Sequence, residues 1–92
     1  MPVLVVDSHV NNFDDWLEVF KANPPPELGS WRVLRGIDDP NRVQVIGELD
    51  ASEVDGVREF LASEKMQAVF EQVNETSTQP IEFIWLDEVK LG

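Results

Sequence analysis

The chain has 92 residues, which is enough for one domain with a single thin hydrophobic core. Its 18 acidic and 7 basic residues give a net charge of −11, which disfavours nucleic acid and anionic membranes as partners because both attract basic surfaces. Hydrophobic residues make up 42% of the chain, there is no cysteine, and no apolar run approaches the ~20 residues of a membrane span, so we predict one cytoplasmic globular domain over residues 1–92.

The first predicted element is a β-strand over residues 2–10, whose β-branched run becomes polar towards its end. Alternation along a strand places two sets of side chains on opposite faces. One set is Leu4, Val6, Ser8 and Val10, and the other is Val3, Val5, Asp7 and His9. Such a pattern is typical of a central strand whose end opens into a cleft.

A helix follows, with Asn11 or Asn12 as its N-cap and with Asn23, before Pro24, as its end. Its apolar residues recur at the spacing of a helix that covers a sheet. They are Phe13, Trp16, Leu17 and Phe20. This spacing favours core packing over an aromatic cofactor site. Residues 23–29, with three consecutive prolines, are predicted to form a stiff loop.

Residues 31–50 are predicted to form a hairpin whose turn is Asp38-Asp39-Pro40-Asn41. This turn would pair Trp31 with Glu48 and Arg35 with Gln44. One face would then be apolar and carry Leu34, Gly36, Val43, Val45, Gly47 and Leu49. The other would be mixed and carry Trp31, Val33, Arg35, Gln44, Ile46 and Glu48. We expect helices on the apolar face, and solvent, a ligand cleft or another subunit on the mixed face.

A second helical region is predicted from Ser52, with Ser52 and Asp55 as an approximate capping box. Its apolar spacing restarts after Ser63, which favours two helices with a kink near Ala62–Ser63 slightly over one continuous helix. Residues 74–80 are predicted to be a loop and residues 81–89 the last strand. Both faces of that strand are apolar, with Phe83 and Trp85 on one and Ile84 and Leu86 on the other, so we expect a partner to cover it.

The predicted order β-α-β-β-α-β indicates an α+β fold, the ferredoxin-like sandwich, with a four-stranded antiparallel sheet of order 4-1-3-2 and both helices on one face. Within it, we expect the first and third strands to lie side by side and parallel. Their C-terminal ends would then bring Asp7 and His9 near Glu48 and Trp31, with Arg35 on the same face towards the other end.

Three side chains at this end are candidate catalytic residues: His9, Asp7 and Glu48. His9 is the acid–base candidate, oriented by one of the two carboxylates; the alternative is a histidine of a dimer interface. The three are also ligand types for zinc or iron, but their spacing matches no metal motif, so no metal site is predicted. Ser8 and His9 point to opposite faces, which excludes a nucleophilic triad built on that pair.

The chain resembles the dimeric α/β-barrel superfamily, which includes antibiotic biosynthesis monooxygenases and small polyketide cyclases. The resemblance covers nearly the whole chain. It depends on His9-Val10 before the helix start at residues 12–16, on residues 31–35 running into the turn at 38–41, and on the helix break at 60–63. It implies a homodimer whose two sheets face each other, and a pocket between each sheet and its helices or at the barrel mouth.

The resemblance also implies a function, the binding of an aromatic or polyketide-like small molecule by a cofactor-independent monooxygenase or a cyclase. Trp31 and Arg35 are of the types that contact ligand in such oxygenases, and Trp85 is a third candidate contact. The alternatives are interface packing for Trp31 and an ion pair for Arg35. The haem-degrading relatives carry their haem-ligating His on a helix, whereas His9 is on a strand, so no cofactor is predicted. The alternative function is a non-catalytic dimeric ligand-binding or scaffold domain.

Overall fold

The computed structural model describes all residues from Met1 to Gly92 and follows the predicted order of elements. The elements are β1 (Pro2–Val10), α1 (Phe13–Ala22), β2 (Ser30–Arg35), β3 (Arg42–Glu48), a 3₁₀ turn (Ala51–Glu53), α2 (Val54–Ala62), α3 (Glu64–Glu75) and β4 (Ser77–Asp87). The strands form one antiparallel sheet of order β2-β3-β1-β4, with the helices on one face. The predicted ferredoxin-like α+β fold is confirmed. None of the helices combines the length and hydrophobicity needed to cross a membrane.

Polar side chains fix the helix ends where the sequence predicts them. The Asn12 side-chain oxygen accepts a hydrogen bond from the Asp15 N–H at 3.1 Å, so Asn12 is the cap of α1. Ser63 separates α2 from α3, and its hydroxyl accepts from the Met66 N–H at 3.3 Å. The prediction of two helices with a break at this position is therefore confirmed.

The start of α2 differs from the prediction. Ser52 lies in the preceding 3₁₀ turn, and the box with Asp55 does not form. Glu53 takes its place: one carboxylate oxygen accepts from the Asp50 N–H at 2.8 Å and the other from the Gly29 N–H at 2.9 Å. Glu53 therefore ties the loop before β2 to the start of the helix.

The expected parallel pairing of the first and third strands is wrong. β1 and β3 are antiparallel, and Val3 pairs with Glu48 while His9 pairs with Arg42. The connection through α1 makes β1 parallel to β2, and the hairpin reverses the direction for β3, which lies between them. Glu48 is consequently at the opposite end of β1 from His9.

The hairpin register is one residue away from the predicted one. Trp31 pairs with Gly47 and Arg35 with Val43, so Trp31, Val33 and Arg35 turn to the helix-covered face. In this register the residue opposite Trp31 must be glycine, because a Cβ at position 47 would lie 2.5 Å from a Trp31 ring carbon. Gly47 has no side chain and therefore leaves room for the indole ring, whereas a larger residue opposite Trp31 would not.

The last strand is longer at its start than predicted. α3 continues to Glu75 and β4 begins at Ser77, so residues 74–80 are not a loop. The pairing of β4 with β1 shifts register between Asp7 and His9, where Pro80 and Ile81 of β4 lie opposite the single residue Ser8. The Asn74 side chain accepts from the Ile81 N–H at 2.9 Å. An edge strand tolerates proline at such an irregularity because no ladder bond is required there.

The two clusters of the hydrophobic core lie between the sheet and the helices. Their buried residues are Val10, Trp16, Val43, Val45 and Val73 in one and Leu4, Leu49 and Val57 in the other. No helix covers the opposite side of the sheet, which we call the open face. The open face mixes apolar, polar and charged side chains, which are Val3, Val5, Asp7, His9, Ser30, Arg32, Leu34, Arg42, Gln44, Ile46, Glu48, Glu82, Ile84 and Leu86.

Candidate functional site

The sheet divides the predicted site residues into two groups that do not meet. Asp7 and His9 project from β1 onto the open face, whereas the neighbouring Ser8 projects towards the helices. Trp31 also lies on the helix side, where it packs against both core clusters. A single site that combines His9 with Trp31 therefore does not form within one chain.

Asp7 is the centre of a polar cluster on the open face. Its carboxylate accepts from the Gln44 amide at 3.1 Å and from the Arg42 Nε at 3.4 Å, and its second oxygen lies 3.4 Å from the His9 Nε2. Burial of the carboxyl raises its pKa, but these two hydrogen bonds and the charges of Arg42 and His9 outweigh burial. The pKa of Asp7 therefore lies below its ordinary value of 3.8.

Glu48 takes no part in this cluster, contrary to the expectation. It pairs with Val3, six residues from His9 along β1, which is roughly 20 Å at the rise of a strand. Its nearest basic partner is Arg32, at 3.8 Å. The predicted catalytic trio is therefore reduced to the Asp7–His9 pair. Nowhere in the structure do three histidine or acidic side chains come close enough together to hold a metal ion.

Arg35 and Trp85 are held by neighbours on the helix side. The Arg35 guanidinium lies over the Phe13 ring at 3.9 Å, and its Nε donates to the Pro40 carbonyl at 2.6 Å. The indole of Trp85 lies under the Arg58 guanidinium at 4.8 Å, in a shallow surface groove. Neither side chain lines the cavity that lies between the sheet and the helices, whereas Trp31 does.

A cavity of about 80 Å³ lies between the sheet and the helices, and we call it the inner cavity. Its wall contains five aromatic side chains, Trp16, Phe20, Trp31, Phe60 and Phe70, together with aliphatic ones. Its only polar side chains are Ser8 and Asn23, and none of its lining residues is titratable. The Trp31 indole N–H donates to the Leu28 carbonyl at 2.7 Å, which fixes the ring at the wall.

Ser8 is the site residue that sequence reasoning missed. The alternation in β1 places Ser8 among Leu4, Val6 and Val10, and a single hydroxyl within an apolar set was the available signal. The aromatic stripe of α1 was predicted to be core, and Trp16 and Phe20 do pack in the core while also lining the inner cavity.

The structure is similar over nearly its whole length to several solved structures. An antibiotic biosynthesis monooxygenase matches with a TM-score of 0.70 and 16% identity, over 98% of this chain and 100% of that chain. Rv0793 from Mycobacterium tuberculosis matches with a TM-score of 0.72 and 14% identity, over 99% and 98%. A conserved protein from Methanosarcina mazei Go1 matches with a TM-score of 0.74 and 12% identity, over 96% and 92%.

No protein-family model matches the chain, and no curated protein matches it in sequence. At identities this low, structural similarity establishes the fold, while activity has to be argued from the site. The chain therefore has the ferredoxin-like fold of the antibiotic biosynthesis monooxygenases.

Proposed function

We propose that this domain binds a flat aromatic molecule of one or two rings in the inner cavity. The observation that carries the proposal is the wall of the cavity, which is aromatic and aliphatic with a single buried hydroxyl, that of Ser8. Ligand pockets are commonly apolar with a few polar groups that orient the ligand. Aromatic walls add favourable ring–ring contacts to the burial of a flat ligand.

The size of the cavity limits the ligand and requires the wall to yield. Its volume of about 80 Å³ is near half of the ~150 Å³ of an apolar cavity that binds benzene. Pro25 and Pro26, from the loop before β2, form part of the wall, and Phe60 and Leu61 lie next to the α2–α3 break. We expect the ligand to enter by displacing the loop before β2 and the break between α2 and α3, because both lie outside the middle of any helix or strand.

The chemistry that suits this wall is oxygenation rather than cyclisation. An aldol cyclisation needs a general base and a general acid near the reacting carbonyl, and the inner cavity offers no titratable side chain. An electron-rich arene supplies its own electrons: one molecule of 1-naphthol and one of O₂ give one 1,4-naphthoquinone and one water. The similarity to an antibiotic biosynthesis monooxygenase supports the same choice.

The open face is the part of the proposal that concerns assembly, and we propose that it pairs with the open face of a second copy. Leu34 and Leu86 lie on the two edge strands, β2 and β4, and are 46% and 52% exposed on this face. Between them lie β3, which carries the buried Ile46, and β1, which carries Asp7. A sheet face with this much apolar surface is stabilised by a partner layer. In that arrangement the Asp7–His9 pair lies in the dimer interface and does not contact the ligand, which binds in the inner cavity.

A thermal-shift titration with 1-naphthol tests binding. A ligand that binds only the folded state raises stability by ~2.7 kcal/mol at a hundredfold excess over its Kd. We expect the shift in the wild type and its loss in Val69→Phe, which fills the cavity from α3. Val89→Phe, at a position that is 77% exposed, is the matched control and should keep the shift. The absence of a shift in the wild type would contradict the proposal.

Oxygen uptake separates the enzyme from the alternative, a non-catalytic ligand-binding or scaffold domain. We expect an oxygen electrode to record uptake, with quinone formation, for the wild type and Val89→Phe above the protein-free rate. Val69→Phe should not exceed that rate. Ligand binding without uptake would support the non-catalytic domain instead.

A further inference from the structure

Ser8 is a buried hydroxyl for which the protein itself provides no partner. Its side chain is on the helix side of the central strand β1, and the residue is only 3% exposed. The side-chain hydrogen bonds of the structure include none to its Oγ, and the hydroxyl borders the inner cavity instead of being enclosed by protein atoms. A ligand that fills the cavity without bonding to this hydroxyl would leave it unpaired in an apolar setting, which weakens binding.

The other polar group on the wall is already engaged. The Asn23 amide donates to the Val19 carbonyl at 3.0 Å, where it helps to end α1. Along β1, the neighbours of Ser8 on the same face are Val6 and Val10, and across the sheet it pairs with Val43. None of these three side chains can hydrogen-bond the Ser8 hydroxyl, and valine or alanine would serve packing alone at least as well.

We propose that Ser8 is the specificity-determining residue of the inner cavity, and that its Oγ hydrogen-bonds a single hydroxyl or carbonyl oxygen on the edge of the aromatic ligand. The inference deepens the proposed function and rests on it, because it requires a ligand in the cavity. It names the ligand class as phenols and aryl ketones with one oxygen buried against the sheet. An arene without that oxygen should bind less well because the serine hydroxyl would stay unpaired.

A matched pair of ligands tests this role. We would measure the Kd of 1-naphthol and of naphthalene by calorimetry for the wild type, Ser8→Ala and Ser8→Thr. The wild type should prefer 1-naphthol, and Ser8→Ala should weaken 1-naphthol by about 2- to 10-fold, as expected for one neutral hydrogen bond. Naphthalene should bind Ser8→Ala as tightly as it binds the wild type. Ser8→Thr, which keeps a hydroxyl, should retain the preference.

The outcomes distinguish failure of this inference from failure of the proposed function. If both ligands bind the wild type and Ser8→Ala keeps the full preference for 1-naphthol, the role of Ser8 is refuted while the cavity stands. If Ser8→Ala weakens both ligands equally, Ser8 acts through packing, and the inference is refuted. If neither ligand binds the wild type, both proposals fall. The melting temperature of ligand-free Ser8→Ala should equal or exceed that of the wild type, since no protein hydrogen bond is lost.

Discussion

Asp7 and Ser8 are adjacent in the chain, yet they experience opposite environments because a strand alternates its faces. Both are buried, at 5% and 3% exposure. The Asp7 carboxylate has Gln44 and Arg42 as partners, whereas the Ser8 hydroxyl has only the inner cavity. We infer that the first residue stabilises the sheet, and that the second is available for a ligand.

The lowered pKa of Asp7 predicts a pH dependence of stability. Its ionised form stabilises the fold at pH values above the ordinary pKa of 3.8, and this contribution is lost as the pH falls through the lower, folded-state pKa. Urea unfolding at pH 6 and at pH 3 should show a larger loss of unfolding free energy for the wild type than for Asp7→Asn. The matched control is Asp55→Asn, at an exposed position on α2, which should follow the wild type. Equal losses in the wild type and Asp7→Asn would contradict this account.

At the scale of elements, the hairpin of β2 and β3 depends on the fit between Trp31 and Gly47. Gly47→Ala would place a methyl group 2.5 Å from the indole ring and should destabilise the fold by about 1–3 kcal/mol through overpacking. The same change in a Trp31→Ala background should cost clearly less, because the ring that clashes is absent. Denaturant unfolding of the four proteins measures both costs. Equal costs in the two backgrounds would show that the indole ring does not restrict position 47.

The elements that sequence reasoning predicted correctly are those with local signals. Asn12 caps α1 through a hydrogen bond to a residue three positions away, and Ser63 separates α2 and α3 in the same way. Strand direction and register are non-local. The one-residue shift places Trp31 opposite a glycine 16 positions later in the chain, and turn chemistry at residues 38–41 gave no information about this pairing.

The candidate site was only partly predictable for the same reason. Asp7 and His9 share a strand, so their proximity follows from alternation, and the structure places them 3.4 Å apart. Glu48 was predicted to lie near them because β1 and β3 were expected to be parallel. The two strands are antiparallel, and Glu48 lies at the other end of β1. The inner cavity depends on how α1, α2 and α3 pack over the sheet, which no local pattern specifies.

At the scale of the whole molecule, the sheet is covered by helices on one side only, and we propose that a second copy covers the open face. Leu34→Asp would place an unpaired carboxylate in that interface and should weaken dimerisation by at least about tenfold, since burying an unpaired charge costs several kcal/mol. Ile37→Asp, in the hairpin loop at 98% exposure, should leave the dimer unchanged. Sedimentation equilibrium at micromolar concentration measures both. A monomeric wild type, or a Leu34→Asp dimer as tight as the wild type, would contradict the proposed interface.

The two proposals assign assembly to one face of the sheet and ligand binding to the other. The open face carries the polar cluster of Asp7, and the helix-covered face carries the inner cavity with Ser8. A substitution on one face should therefore leave the property of the other largely intact, as long as the sheet keeps its fold.

The most direct test of ligand binding in the inner cavity uses the three tryptophans of the chain. Trp16 and Trp31 line the cavity, whereas Trp85 lies in the surface groove beneath Arg58. In a ¹H–¹⁵N correlation spectrum, titration with 1-naphthol should shift the indole N–H signals of Trp16 and Trp31 and leave that of Trp85 in place. A shift of the Trp85 signal alone, or no indole shift at a saturating concentration, would contradict the account.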